Sequence, residues 1–163
     1  MTSSLYDDAF DGSSSPLPTG QRSGRDDPSD QAQDRLRALV GVAHQATARA
    51  YAPYSDFAAG AAVRTTNGAT VTGVIVENIS LGLAMCAERV AMFGAVARGE
   101  WPVELALVAP RTGDELTLPC GACLQVALEL GGPDTVIIAS DGDESTGPLR
   151  LGDLLPRGPH RSS

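Results

Sequence analysis

Phe57-Ala58-Ala59-Gly60-Ala61-Ala62-Val63, then Asn67-Gly68, then Thr70-Val71-Thr72-Gly73-Val74-Ile75-Val76 is the stretch that decides the fold. Two apolar runs flank Asn-Gly, the strongest short hairpin signal, because both central residues of a tight hairpin turn need positive φ. Upstream, Leu36, Leu39, Val40, Ala43, Ala46, Thr47 and Ala50 recur at helical spacing and predict an amphipathic helix over residues 34–51, ended by Pro53. Downstream, a helix is expected over residues 86–98, a short buried strand over 104–110 and a second core helix over 120–130. A buried strand over 135–139 and a short candidate strand over 149–151 follow, with a turn at 152–156. The order α-β-β-α-β-α-β-β predicts an α/β fold, a mixed sheet with helices on both faces.

The rest of the chain divides by composition. Residues 1–33 are rich in Ser, Pro, Gly and Asp, and six aspartates against Arg22 and Arg25 give them half of the total net charge of -8. Such a segment buries too little apolar surface to offset its ordering entropy, so it is expected to be a disordered acidic tail. A folded domain over 34–156 and a C-terminal tail over 157–163 complete the division. No apolar run approaches the length of a membrane span, and the N-terminus does not read as a secretory signal. A reducing, cytoplasmic home is expected, and the acidic balance disfavours a nucleic-acid partner. All twelve basic residues other than histidine are arginine, so chemistry that needs a lysine is excluded.

Three cysteines carry the chemistry. Cys86 stands in Met85-Cys86-Ala87-Glu88-Arg89, and Cys120 and Cys123 in Pro119-Cys120-Gly121-Ala122-Cys123. All three fall at the starts of the two expected central helices, where side chains tilt back toward the helix N-terminus. They can therefore converge on one point, with the helix dipoles favouring thiolates. Three thiolates with one open position is the layout of a catalytic rather than a structural zinc. Glu88 lies one short step along the same helical turn, placed to move protons between water and a substrate nitrogen. Arg89 is positioned to pair with a ligand thiolate and offset the charge of the cluster. Cys-x-Glu followed by Pro-Cys-x-x-Cys is the zinc-deaminase pattern with cysteine as first ligand. A redox dithiol at Cys120/Cys123, three inert buried cysteines or a purely structural zinc would each leave Glu88 without a role.

At these residues the chain resembles the small zinc-dependent cytidine deaminases, a family that includes cytidine/deoxycytidine and blasticidin-S-type enzymes. The match runs through Tyr51-Ala52-Pro53-Tyr54-Ser55-Asp56-Phe57, Thr72–Asn78, Cys86–Arg89, Pro119–Gln125 and Gly152–Pro156. The resemblance implies a three-layer α/β/α sandwich around a five-stranded mixed sheet, assembled as a homotetramer or dimer. It implies a cytoplasmic C–N hydrolase of pyrimidine salvage, with Zn²⁺ on Cys86, Cys120 and Cys123 and Glu88 as proton shuttle. Phe57 would pack on the pyrimidine ring, backbone at Ala87 would read the base edge, and Glu77 would bind a ribose hydroxyl. The implied partners are a small cytosine nucleoside and other copies of the chain, with no nucleic acid and no membrane.

The departures cluster on sugar recognition. Where the family carries asparagine two residues before Glu77, this chain has Ile75, and strand periodicity keeps Ile75 on the face of Glu77. Leu81 replaces a tyrosine, Leu124 an arginine, and Arg157-Gly158-Pro159-His160 stand where an aromatic is usual. The chemical core is intact and the sugar grip is altered, so a modified cytosine nucleoside, such as an antibiotic or its biosynthetic intermediate, is an alternative substrate. A polynucleotide deaminase and a non-catalytic zinc-binding member are the other readings. His44 and His160 are expected to be structural and an exposed tail residue, respectively.

Overall fold

The computed structural model describes residues 27–160. Residues 1–26 of the expected 1–33 tail, and residues 161–163, lie outside the described residues. Helix α1 spans Pro28–Thr47, beginning earlier than its apolar periodicity indicates. Asp27 caps it, its carboxylate accepting from the Ser29 N–H at 3.0 Å, and Pro28 occupies the first turn, where its missing N–H is harmless. The first turns hold no buried residue, and Leu36 is the first to reach the core, so apolar spacing alone cannot find this start.

Five strands form one sheet in the order β2-β1-β3-β4-β5. Strand β1 (Gly60–Thr65) pairs antiparallel with β2 (Thr70–Val74) and with β3 (Pro102–Val108). Strand β4 (Val136–Ser140) runs parallel to β3, and β5 is the two-residue Leu149–Arg150, antiparallel to β4. The hairpin is present, but its turn is centred on Thr66-Asn67: the Gly68 N–H bonds the Thr65 carbonyl, and of the pair Asn67-Gly68 only Gly68 takes positive φ, at 80°. Residues 57–59, expected in β1, precede the strand: the Ala59 carbonyl still accepts from the Ile75 N–H, and Ala58 is exposed. Leu151, expected in the last strand, is fully buried and opens the short helix α4, Leu151–Leu154.

Helix α2 (Ala87–Val96) crosses from β2 to β3, and α3 (Gly121–Gly131) joins β3 to β4. Period-2 alternation sends the central strands into two cores. Val63, Leu105, Leu107 and Ile137 pack with Met92 of α2 and Leu128 of α3. Ala62, Ala106, Val108 and Ile138 pack under Leu36, Leu39 and Ala43 of α1. The result is the three-layer α/β/α sandwich with a five-stranded mixed sheet. Two glycines let the helices approach. A Cβ on Gly60 would lie 2.4 Å from the Ala43 carbonyl of α1, and one on Gly73 would lie 2.3 Å from the Ala87 carbonyl of α2. No helix among the described residues is long and apolar enough to cross a membrane.

Candidate active site

Strands β2 and β3 both run antiparallel to β1, and helices α2 and α3 start at the sheet edge where those strands end. That edge is where ligands collect in α/β sheets. Cys86 and Cys120 are the N-cap residues of α2 and α3, and Cys123 lies in the first turn of α3. Caps are usually Ser, Thr, Asp or Asn, whose oxygens bond the free amides. Neither cysteine makes a side-chain cap bond, so both sulfurs stay available. The three Sγ atoms lie within 4.8 Å of one another, and Cys120 and Cys123 are 3.5 Å apart. Tetrahedral ligation with Zn–S near 2.3 Å needs sulfurs roughly 3.8 Å apart, so donor type and spacing both fit zinc.

Charge is concentrated around these sulfurs. An Arg89 guanidinium nitrogen is 3.4 Å from Cys86 Sγ, and Arg89 Nε is buried with no partner among the described residues. That orphaned donor suits a site whose negative charge grows when a dication draws in three thiolates. The Cys123 thiol donates to Cys86 and, with Arg89 adding to the effect, holds Cys86 down to about 5. The same contact, together with burial, pushes Cys123 up. A proton shared in this way is the one that metal binding displaces.

Glu88 is only 4% exposed, and burial pushes its carboxyl above the usual carboxylate range. It lines a cavity of about 130 Å³ with Phe57, Ile75, Ala87, Leu107 and Leu118, beside Cys86 and Cys120. Phe57 reaches this cavity because the preceding loop turns sharply. Asp56 adopts left-handed backbone at φ 57°, which aspartate tolerates better than most residues, and the Phe57 N–H bonds Ser55 Oγ at 3.1 Å.

Glu77 is placed by a strand extension rather than by the main sheet. Val76 exchanges both backbone bonds with Met85, and Tyr51 bonds Ile75 and Glu77 on the other side. Residues 75–77 are therefore held between the 51–57 loop and the residue before Cys86. The Glu77 carboxylate accepts from Ser55 Oγ and, at 2.8 Å, from the Tyr54 N–H, bonds that hold its carboxyl below the usual range.

Residues 33–140 match the family model described as the cytidine and deoxycytidylate deaminase zinc-binding region. The chain belongs to the cytidine deaminase family. It is 45% identical over 118 residues to the cytidine deaminase of Mycobacterium tuberculosis H37Rv, covering 72% of this chain and 84% of that protein. It is 38% identical over 118 residues to that of Halalkalibacterium halodurans, covering 72% and 89%. The crystal structure of the Burkholderia pseudomallei cytidine deaminase is 41% identical, covering 74% of this chain and 95% of that one, with a TM-score of 0.68. The Mycobacterium tuberculosis structure gives 43% identity and a TM-score of 0.64, covering 74% and 94%. Zinc is the family's metal, and the deaminase chain supplies a three-thiol cluster for it.

The fold brings Cys86, Cys120, Cys123, Glu88 and Arg89 into one cluster, with Phe57, Ile75 and Ala87 on the cavity wall. Glu77 is not part of that wall. The sequence reading assigned no role to Ala59, Leu107, Ala109, Thr117 or Leu118, which complete the lining. It also missed that Tyr54 and Ser55 fix Glu77. Their only signal was a place in the Tyr51–Phe57 match. His44 is exposed on α1, across the sheet from this cavity, beside a separate groove that also includes Arg37, Asp143 and Ser145. His160 is exposed, within 3.3 Å of the Gly158 carbonyl.

Proposed function

We propose that this enzyme hydrolyses the exocyclic C–N bond of a cytosine nucleoside of the cytidine or deoxycytidine type, releasing ammonia and leaving the uracil nucleoside. Cys86, Cys120 and Cys123 hold the zinc, and Glu88 moves the protons. One observation carries this reading: a buried carboxyl, pushed above the usual carboxylate range by its burial, shares a ring-sized cavity with two of three clustered thiols. Zinc held by three thiolates supplies a Lewis acid that lets water react near neutral pH.

The chain's own residues do the rest. Phe57 and Ile75 sandwich the ring edge and exclude bulk water, while backbone at Ala87 reads the amide edge of the base. Glu88 accepts a proton from the attacking water and delivers it to ring nitrogen N3 as the oxygen bonds to C4. It then carries the second proton to the amine, the C4–N bond breaks, and ammonia departs. Arg89 offsets the thiolate charge, which would otherwise weaken the metal as an electrophile. Glu77 stands outside the cavity wall with both oxygens already accepting from Ser55 and Tyr54, so a sugar hydroxyl that meets it there replaces water rather than an unmet bond. A small nucleoside suits this acidic chain better than a polynucleotide.

The protein works as a homo-oligomer in the reducing cytoplasm, where free thiols persist. Ile79, Leu81 and Leu83 are 81%, 84% and 69% exposed close to the site, and Phe93 of α2 is 46% exposed. An apolar patch of that kind is what association covers. The test is ammonia and uridine formation from cytidine by the zinc-loaded chain, repeated after chelation and after zinc is restored. Turnover lost on chelation and recovered with zinc supports the reading. No turnover of any cytosine nucleoside by the loaded chain overturns it.

A further inference from the structure

A cavity of about 150 Å³ is filled by one benzene ring. The 130 Å³ beside Glu88 is therefore the size of a single six-membered ring. What is attached to that ring then lies outside the cavity, and the extended segment that gives Ile75 to its wall leads on to Glu77, which is not part of that wall. Residues 75 and 77 share one face of an extended segment, so their side chains are spaced roughly 7 Å along the chain.

The mouth offers little that a sugar hydroxyl would leave unsatisfied by its absence. Ile75 presents only hydrocarbon, since its N–H is bonded to Ala59 and its carbonyl to Tyr51. The Thr117 hydroxyl, at the same cavity, bonds the Pro110 carbonyl at 2.6 Å and pairs with Thr112. Both Glu77 oxygens already accept from Ser55 and Tyr54. Strong rejection of an analogue that lacks a hydroxyl requires a buried polar group left without a partner. No group named at this mouth is in that position.

We propose that this enzyme selects its substrate by the pyrimidine ring and is nearly indifferent to hydroxyls on the sugar ring, with Ile75 as the residue that sets this indifference. Cytosine nucleosides lacking the sugar-ring hydroxyls, including those that lack the 3′-hydroxyl, are then substrates in their own right. The inference rests on the deaminase reading above and deepens it by naming the substrate class.

The experiment compares kcat/KM of the zinc-loaded enzyme for cytidine, 2′-deoxycytidine and 2′,3′-dideoxycytidine, measured by ammonia release. All three values are expected within about tenfold of one another, the scale of one net hydrogen bond. Ile75→Asn is expected to raise the ratio of kcat/KM for cytidine over the dideoxynucleoside well above the wild-type ratio, since any change in the shared ring contact acts on both substrates alike. Ile75→Val, which keeps an apolar wall, should preserve the wild-type ratios. Good turnover of cytidine with more than a tenfold deficit for the dideoxynucleoside overturns the inference and leaves the deaminase reading standing. No turnover of any of the three removes the deaminase reading and the inference with it. The wild-type ratios decide the matter even if the asparagine variant fails to fold.

Discussion

Gly73→Ala adds a single methyl outside the cavity wall, yet it should impair catalysis. A Cβ at Gly73 would lie 2.3 Å from the Ala87 carbonyl, 2.4 Å from the Ala91 amide and 2.9 Å from the Val90 Cβ, all on α2. Two of these contacts are rigid helix backbone, so no flexible side chain can yield. Restoring ordinary contact near 3.4 Å needs α2 to retreat from β2 by about 1 Å. Overpacking of this kind costs about 1–3 kcal/mol. For a domain of this size that is a fall in Tm of about 3–12 °C. The functional effect is separate. Helix α2 carries Cys86 and Glu88, while Cys120 and Cys123 ride on α3. A shift of about 1 Å between the two helices opens the thiol cluster and misplaces the carboxyl, and misplacement on that scale can lower turnover about 10²-fold. The assay pairs thermal unfolding with ammonia release and zinc content. Gly41→Ala is the control: that glycine is on α1 with nothing near its Cβ direction, and alanine there should be neutral or add up to ~1 kcal/mol. Wild-type Tm and wild-type turnover in Gly73→Ala would refute the claim that this glycine sets the seat of α2.

Two further outcomes follow from the site and the surface. Glu88→Gln keeps the shape of a buried side chain and removes its capacity to carry a proton. Ammonia release should fall about 10²–10⁴-fold, or about 3–5 kcal/mol of barrier, with zinc content and Tm unchanged; activity within tenfold of wild type would remove Glu88 from its role. Asp141 accepts from the backbone N–H groups of Glu144 and Asp143 and from Arg111, which lowers its carboxyl to about 2. Its folded pKa lies below the unfolded value near 3.9, so its contribution is complete above about pH 4 and is lost as pH falls toward 2. Asp141→Asn should flatten the fall in Tm between pH 4 and pH 2, and an unchanged slope would show that this carboxylate does not couple to folding.

Legibility in the sequence followed the range of the interactions involved. The starts of α2 and α3 were readable because local pattern sets them: apolar helical periodicity begins at each cysteine motif, and glycines end it. The hairpin was readable from Asn67-Gly68 for the same reason. Strand β1 begins three residues later than its apolar run, and of those three Phe57 and Ala59 line the cavity, a role that hydrophobicity cannot distinguish from a place in the strand. The support of Glu77 was hidden because its partners lie 22 and 23 residues upstream. Hydrogen bonds over that separation depend on a fold already formed, and Ser55 and Tyr54 have no local periodicity to announce them. The closing of the cavity by Leu107, Ala109 and Leu118 is likewise a product of β3 and the loop after it meeting β1.

The two cysteine caps show why fold and chemistry are the same feature here. An N-cap Ser, Thr, Asp or Asn would stabilise each helix by about 1 kcal/mol over a residue with no cap bond. This chain forgoes that at both α2 and α3, the two helices packed on the same sheet face. The forgone bonds leave first-turn amides facing the sulfurs, where the positive helix ends favour thiolate over thiol. A local rule broken twice at converging helix starts marks a site where stability has been exchanged for reactivity. Metal bound across Cys86, Cys120 and Cys123 would then restore the lost stability by joining the two helix starts directly, since a ligand that binds the native state stabilises it. The same bond would fix the spacing between Glu88 and the reacting ring, so the positioning that Gly73 permits on one side of α2 is completed by the cysteines at its end.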